Sequence, residues 1–299
     1  MSSARIDTTK KSSVAVGKSH DSDSRSGRAV AETHMQHAPA GSRIRFDDDA
    51  ATLRRNTIRV LTTDGTTRRR FVAWCRTSVM GGENTNEGIE HALALLDPYH
   101  AAALVFLAAL RARFEPDVQI QRYSTKRLWR HSTAVGLMAQ LIYRSCGGRD
   151  EYQGLLAGSL HHIGLLQRQT VDPDRFHRLV NETDEVTARH GVEIRLWGQP
   201  SGRITETILK AWKMPLAIVT AASAMDPHSA GSDPQTLRLT AAVQLADYLV
   251  CRSGWTPLGT RNAESQLGFR VFEILQVDHQ LMSMFYTRLF EILAAANEF

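Results

Sequence analysis

Through most of the chain, over residues 87–299, apolar side chains return every three or four positions and do not settle into strand-like alternation. Such spacing commits a chain to packed amphipathic helices. Asp97 followed by Pro98 supplies a capping side chain and a proline for the first helical position, and an Ala- and Leu-rich run continues to Phe114. Ser124 can cap the next helix, where Leu128, His131, Val135, Met138 and Ile142 keep the spacing of a buried stripe, so His131 is expected on the core side. Gly147-Gly148 should end that helix. One continuous helix is expected over residues 152–166, then others over 184–197, 204–212, 216–225, 234–252 and 271–297. Short polar breaks join them, as in an all-α bundle.

The N-terminal part reads differently. Residues 1–50 are rich in Ser, Ala, Asp, Arg and Lys with few large apolar side chains, too little apolar surface to offset a backbone ordering cost of about 1–2 kcal/mol per residue. A disordered tail is expected there. In residues 51–86, β-branched runs flank Asp64-Gly65, the preferred pair for a two-residue hairpin turn. A short basic β-hairpin is expected, followed by a linker at Gly81-Gly82.

A hydrophobic fraction of 42% with 22% charged residues suits a soluble globular protein. No apolar run reaches the length of a membrane span, and the first thirty residues are too polar for a secretory signal, so a cytoplasmic protein without a span is expected. Cys75, Cys146 and Cys251 are widely spaced and form no Cys-x-x-Cys pair, so they read as free thiols. The net charge of +5 is concentrated locally: Arg54, Arg55, Arg59, Arg68, Arg69, Arg70 and Arg76 stand against the single acid Asp64. These arginines, interleaved with Phe71 and Trp74, could grip phosphates while the aromatics stack on bases, which makes nucleic acid or a cyclic dinucleotide a candidate partner. A solvated edge hairpin, kept from aggregating by its charge, is the plainer alternative.

The residues that could carry chemistry are His131, the pair His161-His162 and Asp247. Imidazoles and carboxylates are mixed nitrogen and oxygen donors suited to zinc or ferrous ions. Neutral histidine binds through one nitrogen and cannot bridge, so a bridged two-metal centre is not expected. No bound cofactor is expected: His131 reads first as a hydrogen-bonded core histidine and Asp247 as part of a polar network or facing solvent, with a single divalent ion held by the four residues as the less favoured alternative. Neighbouring helical residues point about 100° apart, so His161 and His162 are not expected to face one centre. His190 reads as a surface residue, and Gly191, Gly198 and Gly202 form no phosphate loop.

With these residues in hand, the region from Leu93 to Phe299 resembles the HD-related output domain, HDOD, of bacterial signalling proteins. The resemblance rests on Leu128-Trp129-Arg130-His131-Ser132, on Leu156 to Gly164 with its Leu160-His161-His162-Ile163-Gly164, on Ala211-Trp212-Lys213-Met214-Pro215, and on Leu245-Ala246-Asp247. It implies an all-α HD-like bundle in which His131, His161, His162 and Asp247 are the remnant of a metal site. It further implies a non-catalytic regulatory module that works through a signalling protein partner. A metal-dependent phosphohydrolase or phosphodiesterase with a reduced site is the alternative. Departures from the family pattern are His162 at the dyad aspartate, Leu165 at a lysine, Ser201 at a further histidine, and Met225-Asp226 near a usual His-His pair.

Overall fold

Asp64-Gly65 joins two helices, α1 (Ala50–Thr63) and α2 (Gly65–Cys75), in the computed structural model. The expected β-hairpin is therefore corrected. Asp64 has φ −120° and ψ 97°, not the positive φ of a hairpin turn. Its carboxylate instead accepts from the backbone N–H groups of Thr66 and Thr67 at 2.9 and 3.0 Å, capping α2. The deciding pattern is the period of the buried residues. Leu53, Thr57, Val60 and Leu61 on α1, and Thr67, Phe71 and Trp74 on α2, recur at helical spacing and are buried, so packing overrides β propensity.

The structure describes residue 39 and residues 43–76, 89–115, 117–183, 188–224, 233–259 and 267–299. Most of the expected disordered tail, and the expected linker, lie outside these. At the tail's end, however, Ile44 and Phe46 are 3% and 6% exposed, so ordered core begins before residue 50. Helix α3 (Ile89–Leu95) precedes α4 (Pro98–Leu110), which is apolar on every side and buried from His100 to Leu110. Helices α1 and α2 cover it on one flank and α6 (Glu151–Leu160) on another. The basic segment thus packs on the helical body. A 3₁₀ turn (Arg111–Phe114) and a two-strand ribbon, β1 (Gln119–Ile120) antiparallel to β2 (Tyr123–Ser124), lead to the central helix.

That helix, α5 (Thr125–Ser145), is capped by Ser124 as expected and buries His131 completely. It lies against α6 along small residues: a Cβ on Gly158 would stand 2.7 Å from the Val135 carbonyl oxygen. Close approach here sets the distance between His131 and the end of α6. Helices α7 (Ile163–Val171), α8 (Pro173–Glu182), α9 (Arg189–Trp197), α10 (Ser201–Ala211) and α11 (Leu216–Ser223) follow. Helix α12 (Pro234–Arg252) returns to pack on α5, with α13 (Phe269–Leu275) and α14 (His279–Glu298) behind it. The helix expected over 271–297 is interrupted, because Gln276 adopts φ 52° and Asp278 caps α14 anew. Among the described residues no helix is long and apolar enough to cross a membrane.

Candidate metal centre

The helix expected over residues 152–166 is broken where it matters. Helix α6 stops at Leu160 and α7 starts at Ile163, leaving His161 and His162 in a turn, with His162 at φ −110° and ψ 14°. The 100° rule for neighbouring helical residues therefore does not apply, and both rings turn inward. Gly164 makes the turn feasible: a Cβ there would fall 2.2 Å from the Ser201 carbonyl oxygen. Its N–H donates to the Thr205 hydroxyl at 3.2 Å, tying the turn to α10.

His131, His161, His162 and Asp247 come together from α5, the α6–α7 turn and α12. One donor atom from each lies within 4.8 Å of all the others. His131 Nε2 is 3.2 Å and His161 Nε2 3.6 Å from Asp247 Oδ1. The other nitrogens are anchored to backbone oxygens, His131 Nδ1 to Trp255 at 2.6 Å and His161 Nδ1 to Gly158 at 2.5 Å. A carbonyl only accepts, so both Nδ1 atoms carry protons and each Nε2 presents a lone pair to the carboxylate unless it gains a second proton.

Electrostatics oppose that second proton at His161, where burial lowers the ring's pKa. His162 is lowered further, by burial and by its neighbours His161 and Arg189. Burial would push the Asp247 carboxyl up, but hydrogen bonds and positive charge from the His131 and His161 rings, in the form whose Nε2 atoms carry protons, outweigh it and hold it well below the ordinary range. Without those second protons, an anion faces buried nitrogens, and both Nε2 atoms lack a hydrogen-bond partner. A cation resolves this conflict. Donors sharing one ion at about 2.1 Å stand about 3.4 Å apart in a tetrahedron, close to the two separations from Asp247. The residues therefore fit one divalent transition-metal ion, which would supply Lewis-acid polarisation to anything it touched.

Beside Asp247 a cleft of about 830 Å³, including its mouth, runs between α9, α10, α11 and α12, with Arg189, Glu193 and Ser201 on its walls. His190 is exposed, as expected, at its rim. Arg189 stands 3.5 Å from both ring nitrogens of His162. Behind it Arg168 and Glu193, each 2% exposed, form an ion pair at 3.2 Å, and Glu193 also accepts the Ser201 N–H at 2.7 Å. Sequence reasoning missed this pair. Its only signal was an arginine within a helix and an acid four residues after Arg189. Cys251 was also missed; its Sγ lies 3.5 Å from Asp247 Oδ1, one turn further along α12. Ser201, at the place of a family histidine, lines the cleft, while Met225 and Asp226 lie outside the described residues.

The arginine set does not join this centre. Arg54, Arg55, Arg59, Arg68 and Arg69 are exposed on α1 and α2, and Arg70 pairs with Glu115 at 3.0 Å. Phe71 and Trp74, the candidates for base stacking, are 0% and 1% exposed. Helical spacing turns them into the core, so the stacking part of that reading fails.

Residues 60–227 match the family model of the HDOD domain. No curated protein sequence matches the chain significantly. Among solved structures, an HDOD domain protein of unknown function from Geobacter sulfurreducens superposes with a TM-score of 0.70 at 18% identity, over 92% of this chain and 99% of that one. A protein from Shewanella amazonensis SB2B, described as a candidate phosphohydrolase, gives 0.67 at 15% identity over 90% and 98% of the two chains. A candidate signal transduction protein from Marinobacter aquaeolei VT8 gives 0.62 at 18% identity over 94% and 67%. With more than half its length matched by the family model, the chain belongs to the HDOD domain family.

Proposed function

We propose that this protein is a non-catalytic regulatory module that holds one divalent metal ion in a closed site and acts through contact with a signalling partner. The observation that carries the reading is the donor set: three imidazoles and one carboxylate within 4.8 Å. Four protein donors are the full complement of a structural zinc-type site, whereas hydrolytic sites keep one position for water. His162, standing where a bridging carboxylate would be, both completes the set and removes the bridge between two ions. A partner-binding role is supported by Tyr286 and Phe290, one turn apart on α14 and 47% and 75% exposed.

A second reading, a one-metal phosphohydrolase, draws support from the cleft that opens at Asp247 beside Arg189. Metal analysis of the purified protein together with hydrolysis of bis(p-nitrophenyl) phosphate separates the two. The closed-site reading expects stoichiometric metal, lost in His131→Ala, and no turnover. Metal-loaded protein with His131-dependent turnover would establish the second reading, and absence of metal under saturating zinc or ferrous ion would remove both.

A further inference from the structure

The anionic ligand that the arginines suggested has a better seat elsewhere. A cleft of about 670 Å³, including its open mouth, lies at the start of α5, lined by Ser124, Lys126, Arg127, Arg130, Gly254 and Trp255. Three of the six lining residues are cationic and none is acidic. No ion pair engages Lys126, Arg127 or Arg130 among the described residues, and Arg130 Nε is buried without a hydrogen-bond partner.

These charges sit where the helix disfavours them. The first turns of a helix carry the positive end of its dipole, and α5 has no acidic residue in its first turn. The free N–H groups there are already satisfied, Lys126 N by Asp117 at 2.9 Å and Arg127 N by Ser124 at 3.0 Å. Attraction for an anion therefore comes from the side chains of Lys126, Arg127 and Arg130, three cations against the one Asp117 carboxylate at the helix start. Functional sites are among the places where proteins break such local rules. Trp255, half-buried on the cleft wall, adds a planar apolar surface beside the cations.

We propose that this cleft binds a nucleoside diphosphate, its phosphates held by Lys126, Arg127 and Arg130 and its base against Trp255. Guanidinium forks match phosphate oxygens in pairs, and an indole accepts any base face. The cleft also borders the histidine cluster, because the carbonyl of Trp255 is the group that accepts from His131 Nδ1 at 2.6 Å. The proposal stands whether or not the cluster holds metal.

Titration calorimetry on the full chain tests it, with ADP and inorganic pyrophosphate as probes. Saturable one-to-one binding of ADP is expected, weakened at least about tenfold by Arg127→Gln with Arg130→Gln. Trp255→Leu should weaken ADP while leaving pyrophosphate unchanged, and Arg54→Gln with Arg59→Gln should change neither. Thermal unfolding of each variant shows that it is folded. No saturable binding, an equal loss in the Arg54 and Arg59 variant, or pyrophosphate binding as tightly as ADP would each overturn the assignment.

Discussion

At the scale of single residues, His162 decides what the cluster can be. Its ring is 5% exposed and lies 3.7 Å, centroid to centroid, from that of His161. As the fourth donor it should add affinity without being indispensable. His162→Ala is expected to retain metal with a higher dissociation constant, whereas Asp247→Asn, which removes the site's anion, should lose it; metal content after dialysis checks both. Glu193 plays a structural part nearby. It is the only carboxylate paired with buried Arg168 among the described residues, although Arg168 also donates to the Gln199 carbonyl and lies over Trp197. Removing one partner of a buried pair leaves an uncompensated charge, so Glu193→Ala should cost about 3–5 kcal/mol in urea unfolding. A loss below about 1 kcal/mol would mean that water reaches Arg168.

At the scale of elements, what could be read in the sequence depended on whether local pattern and tertiary packing agreed. Caps at Asp97 and Ser124 and the buried stripe of α5 were legible because a short-range rule and burial point the same way. The Asp64-Gly65 step was not, since its turn chemistry is equally that of a helix cap and burial on α4 chose between them. Asp64→Ala is accordingly expected to cost about 0.5–2 kcal/mol in chemical unfolding, the range of a lost N-cap. A hairpin would show no such capping loss. The break between α6 and α7 was illegible for a different reason: Leu160 to Gly164 continues a helical apolar pattern, and only contact with α10 fixes the turn. Gly158→Ala tests the neighbouring seam, where a methyl group 2.7 Å from a backbone oxygen has no room. Overpacking of this kind costs about 1–3 kcal/mol.

At the scale of the whole molecule, the four donors belong to segments far apart in sequence, so the site was legible as a set of residues and its convergence only from the fold. The same separation makes the centre a cross-link between α5, the α6–α7 turn and α12. Bound metal should therefore stabilise the entire domain, by an amount that grows with its free concentration over the dissociation constant. Protons act against both the ion and the fold. His161 and His162 have folded pKa values below the ordinary 6.5, so below that pH the unfolded chain binds protons that the folded chain resists. Their contribution is complete above about pH 6.5 and is lost as pH falls toward the folded values. Asp247, lowered from 3.8, loses its contribution only at still lower pH. Chelator-treated protein is thus expected to have a lower urea midpoint at pH 5.5 than at pH 7.5, and His162→Phe should flatten the difference. Added zinc should raise the midpoint at pH 7.5 more than at pH 5.5, where protons compete for the same nitrogens. Equal zinc effects at the two pH values would show that the ion sits away from these histidines.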